Sequence, residues 1–258
     1  MFFILNRFAP QSMYEKLCLQ GHFVIPSANI SSLPHPLATH PDLQIHILDE
    51  KTAVCAPECF SYYRAYLPKS IYLVKGESEL TGTYPGDCAY NVARTGRVVF
   101  CNTKYTDPLI LKFYRDRGVQ IIHVNQGYTR CNICPVTNEL ILTEDEGIHN
   151  TIMGNKGSVT SILLPKGEVE LTGYPYGFIG GSCGHDGKTI YWYGNPKCTS
   201  FYDEIYELLQ KYRLNSISLG EGSLCDFGSI ICFPSRHIIV KGSGKGEFIG
   251  NGDDLFKD

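Results

Sequence analysis

One pattern, apolar strand, polar turn, apolar strand, occurs five times along the chain, in LQIHILDEKTAVCAP, CAYNVARTGRVVFC, CNICPVTNELILT, FIGGSCGHDGKTIYWYG and GSIICFPSRHIIV. The copies begin near residues 43, 88, 131, 179 and 228, so they recur every 43 to 49 residues or thereabouts, a period typical of repeat architectures. Each of the first four is followed by a helical stretch and another strand. Asp107-Pro108 opens LILKFYRDRG, with proline in the first turn and Gly118 as the stop, and VQIIHV follows. Ser200 is expected to cap FYDEIYELLQKYRL, before SISLG. FSYYRAYL leads to SIYLVKG, and GIHNTIMGN leads to VTSILLP. The repeating unit is strand, strand, helix, strand.

The fifth hairpin, expected to end near Val240, has no helix and strand after it, only the glycine-rich KGSGKGEFIGNGDDLFKD. The N-terminal region has a spare pair, MYEKLCLQG as a helix and HFVIP as a strand. If that pair completes the fifth unit, the two ends of the chain close a ring and remove exposed sheet edges. The expected fold class is α/β, a five-bladed α/β propeller of ββαβ repeats in one domain, residues 1–258. An all-β propeller shares the period but uses four strands per blade, and the helices argue against it. The competing architecture is an α/β sandwich in which the repeat is accidental.

A net charge of -3 gives no general attraction to nucleic acid or anionic membrane, and the 17 tyrosines form no interleaved basic stripe. In MFFILNRFAP the four apolar residues FFIL that follow Met1 before Asn6-Arg7 are too few for a signal-peptide core or a membrane span. Eleven cysteines without an export signal point to free thiols in a reducing compartment. The expectation is a cytoplasmic protein.

Equivalent positions of a closed ring converge on its axis. In register these read THPD (39–42), YPGD (84–87), GYTRC (127–131), YPYGF (174–178) and SLCDF (223–227). Carboxylates, a histidine, an arginine and cysteines therefore gather at one place. With these residues the chain resembles the pentein family of guanidino-group-modifying enzymes. PGDCAYNVARTGRVVF is similar to the family's Gly-Gly-Asp strand, which implies Asp87 as a guanidinium ligand. HPDLQIHIL is similar to its His-x-Asp strand, which implies His40 as acid/base and Asp42 as a second ligand. GYTRCNICPV is similar to the glycine-led approach to the nucleophilic cysteine, which implies Cys131. Asp226 is the further carboxylate expected at a small guanidino or amidino substrate. In the family the order along the chain is aspartate, histidine, cysteine; with Asp87 as the aspartate, this chain runs in the reverse sense.

Attack on a guanidinium carbon needs a thiolate, anions to hold the flat cation and a proton donor for the departing amine. On an extended strand His40 and Asp42 would face the same way. Arg130 would lower the pKa of the neighbouring thiol. Cys225 and Cys232 are the alternative nucleophiles. Cys131 can equally be a small buried hydrophobe at a strand start, and Asp87 an Asx turn. Cys131 and Cys134 are spaced like zinc ligands, but three residues apart on a strand they point to opposite faces, so neither metal nor organic cofactor is expected. The competing function is a non-catalytic binding protein on the same fold.

Overall fold

The computed structural model describes residues 1–155 and 157–233. The chain opens with β1 (Phe2–Leu5), α1 (Gln11–Leu19) and β2 (Phe23–Pro26). A helical turn α2 (Pro41–Gln44) then leads into β3 (Ile45–Ile47), β4 (Thr52–Cys55), α3 (Phe60–Tyr66) and β5 (Tyr72–Lys75). The second repeat is β6 (Ala93–Thr95), β7 (Val98–Cys101), α4 (Pro108–Asp116) and β8 (Gln120–His123). The third is α5 (Thr129–Asn132), β9 (Ile133–Pro135), β10 (Leu140–Thr143), α6 (Glu146–Gly154) and β11 (Thr160–Leu163). The fourth is β12 (Cys183–His185), β13 (Thr189–Trp192), α7 (Tyr202–Tyr212) and β14 (Asn215–Ser218), and β15 (Ile231–Phe233) follows.

The strands form five three-stranded sheets, β3-β4-β5, β6-β7-β8, β9-β10-β11, β12-β13-β14 and β15-β1-β2. In each, the middle strand runs antiparallel to the first and parallel to the third, the topology that a helical crossover permits. The middle strands are almost wholly buried, and their sequences FFIL, TAVC, VVFC, LILT and TIYW are correspondingly apolar apart from one threonine at an end of three of them. Helix ends match their chemistry: Asp107 Oδ1 accepts from Leu109 N at 2.9 Å and Asp145 Oδ1 from Ile148 N at 2.8 Å. Ser200 does not cap α7; its hydroxyl donates to Glu168, and Phe201 holds the cap position.

The fifth sheet joins the two ends of the described chain. Its first strand is β15, where the fifth hairpin was expected, and β2 is its third strand, with α1 between β1 and β2. The middle strand differs from the expectation. The sequence near Val240 lies outside the described residues, and the strand paired to β15 is β1, with Phe2 opposite Phe233 and Ile4 opposite Ile231. FFIL has the four apolar residues that a doubly buried middle strand requires.

First strands of neighbouring sheets lie against one another in the order β6, β9, β12, β15. The first sheet joins this series at both ends: Asn91 Nδ2 donates to Asp42 O at 3.3 Å, and Asp42 N donates to Gly228 O at 3.2 Å. Among the described residues no helix is long and apolar enough to cross a membrane.

Phe2 is fully buried between Phe233 and the core of the first sheet. Phe2→Ala is expected to cost about 3–5 kcal/mol in urea unfolding, the range for truncating a buried aromatic. A loss below about 1 kcal/mol would mean that β1 does not hold the fifth sheet together.

Candidate functional site

Two helical turns place the central groups. α2 and α5 each occupy the four residues just before the first strand of their sheet, so Asp42 and Cys131 sit on tight turns rather than on extended strand as the sequence suggested. His40 is the N-cap residue of α2. Cys131 Sγ donates to Asp42 Oδ2 at 3.1 Å and accepts from Asn91 Nδ2 at 3.1 Å. Asn91 Oδ1 accepts from Arg130 N at 2.7 Å and Cys131 N at 3.2 Å, so one side-chain amide fixes both the backbone and the sulfur of the cysteine. Ser229 Oγ lies 2.5 Å from Asp42 Oδ2 and 2.8 Å from Gly180 O.

Asp226 and His40 complete the cluster. Asp226 Oδ2 accepts from Phe178 N at 2.9 Å and Oδ1 from Gly228 N at 3.0 Å. His40 Nδ1 is 3.8 Å from Asp226 Oδ1, and among the described residues neither ring nitrogen of His40 has a hydrogen-bond partner although the side chain is buried. A ring nitrogen of His40, a carboxylate oxygen of Asp42 and the sulfur of Cys131 lie within 4.8 Å of one another. Histidine, carboxylate and thiolate are a donor set that a zinc-sized ion accepts, so these three are the residues that could hold a metal. Cys134, by contrast, meets the thiol of Cys183 and takes no part.

Glycines make this convergence possible. A Cβ at Gly228 would collide with His40, at Gly181 with the carboxylate of Asp226, and at Gly180 with the carbonyls of Arg130, Cys131 and Ile133. Their absent side chains let the fourth and fifth repeats close onto the acidic groups.

Burial dominates the electrostatics. The Cys131 thiol is pushed well above its usual range by burial and then by the charges of Asp42 and Asp226, with the Asn91 amide opposing. Asp226 is raised to about 8 by burial and by Asp42. His40 is lowered to about 4, mainly by burial. The His40–Asp226 contact at neutral pH is therefore chiefly one between uncharged partners.

Of the residues expected from the sequence, His40, Asp42, Cys131 and Asp226 come together. Asp87 is held elsewhere: its Oδ2 accepts from Tyr128 Oη at 2.5 Å, and Asn91 is the side chain of this repeat that meets the thiol. Arg130 turns its guanidinium away from Cys131, donating to the carbonyls of Ile133 (2.8 Å), Gly180 (3.1 Å) and Cys183 (3.2 Å). The Cys225 and Cys232 thiols donate to nearby backbone carbonyls, of Ser223 and Ile230. Asn91 and Ser229 were not anticipated. Asn91 shortly after the YPGD turn and Ser229 after a glycine read as turn formers, and only their equivalence to Cys131 by repeat register could have marked them.

The model of a family of unknown function (DUF6873) matches residues 4–231. No curated protein matches the sequence significantly. Among solved structures, the chain is similar to SxtG, an amidinotransferase from Microseira wollei in the saxitoxin biosynthetic pathway, with 11% identity, 96% of each chain covered and a TM-score of 0.51. It also matches a dimethylarginine dimethylaminohydrolase adduct with 4-chloro-2-hydroxymethylpyridine, with 9% identity, 85% of this chain and 92% of the other covered, and a TM-score of 0.45.

The displaced titrations have a signed consequence. Asp226 holds its proton in the fold to about pH 8, whereas in the unfolded chain it ionises near 4, so stability falls as pH rises between those values. His40 acts oppositely but only below its unfolded pKa of about 6.5, leaving the Asp226 slope unopposed by it above that pH. Urea unfolding at pH 6.5 and pH 8 should show the wild type losing stability and Asp226→Asn losing less. An equal loss in both proteins would place the ionisation of Asp226 outside this window.

Proposed function

The chain belongs to the family of unknown function DUF6873 and has a pentein-like fold, and from that premise we propose that it is a cytoplasmic single-domain enzyme, a closed five-bladed α/β propeller in which Cys131 attacks a small guanidino or amidino substrate. The observation that carries the reading is the meeting of the Cys131 thiol with Asp42, His40 and Asp226 in one buried cluster. In a ring that closes through the β15-β1-β2 sheet, the point at which the chain begins is immaterial. Counting from Asp226 in the fifth repeat, the order is aspartate, then His40 and Asp42, then Cys131, which is the family's sense. The reversal in the sequence arises from choosing Asp87 as the aspartate, and Asp226 removes it.

The resting cysteine is a thiol, kept protonated first by burial and then by its two acidic neighbours. A guanidinium bound between Asp42 and Asp226 supplies the missing positive charge, so the thiolate forms with the substrate rather than before it. The sulfur forms a bond to the guanidinium carbon as its proton passes to His40, whose ring nitrogens have no other partner among the described residues. Collapse of the tetrahedral adduct breaks a C–N bond and returns that proton to the departing amine. The amidino-thioether left on Cys131 is then resolved by water, as in a hydrolase, or by an acceptor amine, as in a transferase.

Deep burial favours a second reading. Cys131, His40, Asp42 and Asp226 are each no more than 3% exposed, and glycines seal two of them. A non-catalytic protein on the same fold would need no path to the thiol.

A guanidinium-like electrophile separates the two. Relative to its rate with a free thiol, 2-chloroacetamidine should label Cys131 at least about tenfold faster than iodoacetamide does, because only the amidine gains from the carboxylates. Asp42→Asn should abolish that advantage and Asp87→Asn should retain it. Equal relative rates, or labelling confined to Cys225 or Cys232, would favour the binding protein.

A further inference from the structure

Beside the thiol cluster a cavity of about 170 Å³ lies between the first strands, lined by Asp42 and Arg130 and by Arg94 of β6 and His185 at the end of β12. Apart from Asp42 at its inner end, its charged groups are cationic. Neither Arg94 nor Arg130 has a carboxylate within ion-pairing distance among the described residues. Arg130 is half-buried and satisfied only by neutral carbonyls, and Arg94 is likewise fixed by the carbonyls of Leu48 (2.6 Å) and Gly96 (3.2 Å). Those bonds hold the two guanidinium groups in place without neutralising them.

His185 adds a directed donor. Its Nδ1 accepts from Gly187 N at 3.2 Å, so the ring proton resides on Nε2, and the buried Nε2 has no partner among the described residues, in a side chain that lines the cavity. His46, also in the wall, bonds Tyr114 Oη at 2.8 Å through Nε2. Burial first, and then the charges of Arg94 and Arg130, push His46 down to about 3, so both guanidinium groups act on the same wall of the cavity.

We propose that this cavity is a binding site for a small oxyanion, a carboxylate or a phosphate, with Arg94, Arg130 and His185 Nε2 as its donors. Two fixed cations, an unused N–H and a compact volume are the elements of such a site. The anion is either a free ligand or the acidic end of a molecule whose cationic end reaches Asp42. The site does not depend on Cys131 being a nucleophile.

Inorganic phosphate, titrated against the full chain at constant ionic strength with chloride as the balancing anion, tests this by calorimetry. Saturable binding is expected, weakened about tenfold by Arg94→Gln, the loss of one charged hydrogen bond. Arg94 is exposed, so the variant should fold; Arg94→Lys, keeping the charge, should lose less. Asp42→Asn removes the one anion in the wall and should tighten phosphate, whereas under the guanidino reading it should abolish binding of methylguanidine. The two ideas can therefore fail separately. Guanidinoacetate binding more tightly than methylguanidine, with the gain lost in Arg94→Gln, would assign the anion to a substrate; no gain, with phosphate still bound, would assign it to a free ligand. Phosphate binding that is no stronger than chloride binding, or is unchanged in Arg94→Gln, would overturn the site.

Discussion

Every repeat of this molecule contributes to the hydrogen-bonded cluster around the buried Asp42. It stands in the first repeat, accepts from Cys131 of the third and from Ser229 of the fifth, and its own carbonyl accepts from Asn91 of the second. The fourth contributes Gly180 O, beside the Ser229 hydroxyl. A carboxylate removed from water is tolerated only with donors aimed at it, and here the donors come from sheets far apart in sequence. Neighbouring sheets are thus held in register by the demands of one anion as well as by apolar contact between their strands. The close approach this requires explains Gly180, Gly181 and Gly228, positions where a methyl group would push the fourth or fifth repeat off the cluster.

The same arrangement settles which groups carry charge. Burial first, and then the neighbouring Asp42, raise the Asp226 carboxyl to about 8, so it keeps its proton at neutral pH. Asp226 is then free to anchor the segment after Gly177 through Phe178 N while Glu144, raised to about 7 chiefly by burial, takes Ile179 N. A pair of buried acids clamps the glycine-rich YPYGFIGG stretch by its backbone. The loop is tied down so that Gly180 and Gly181 lie against Cys131 and Asp226.

Much of the fold was legible because two periodicities, of about two residues for strands and 3.6 for helices, alternate five times with glycine and proline at the joints. The end of the repeat was not. FFIL is too short to announce itself, and whether a four-residue apolar run is a strand depends on a partner more than two hundred positions away. At the site, residue types with obvious chemistry were placed near the right location, yet direction was invisible. Arg130 adjoins Cys131 in the chain but a helical turn sends its side chain to the opposite side, toward carbonyls. Asn91 outranks Asp87 beside the sulfur because it can both donate and accept there, whereas a second carboxylate would add another unpaired anion.

Asp42 also divides the interior into two regions of opposite character. On one side lie the thiol, His40 and the protonated Asp226; on the other lie Arg94, Arg130 and the His185 donor. A ligand with one cationic and one anionic end would complement both regions at once, and a ligand with a single charge would engage only one.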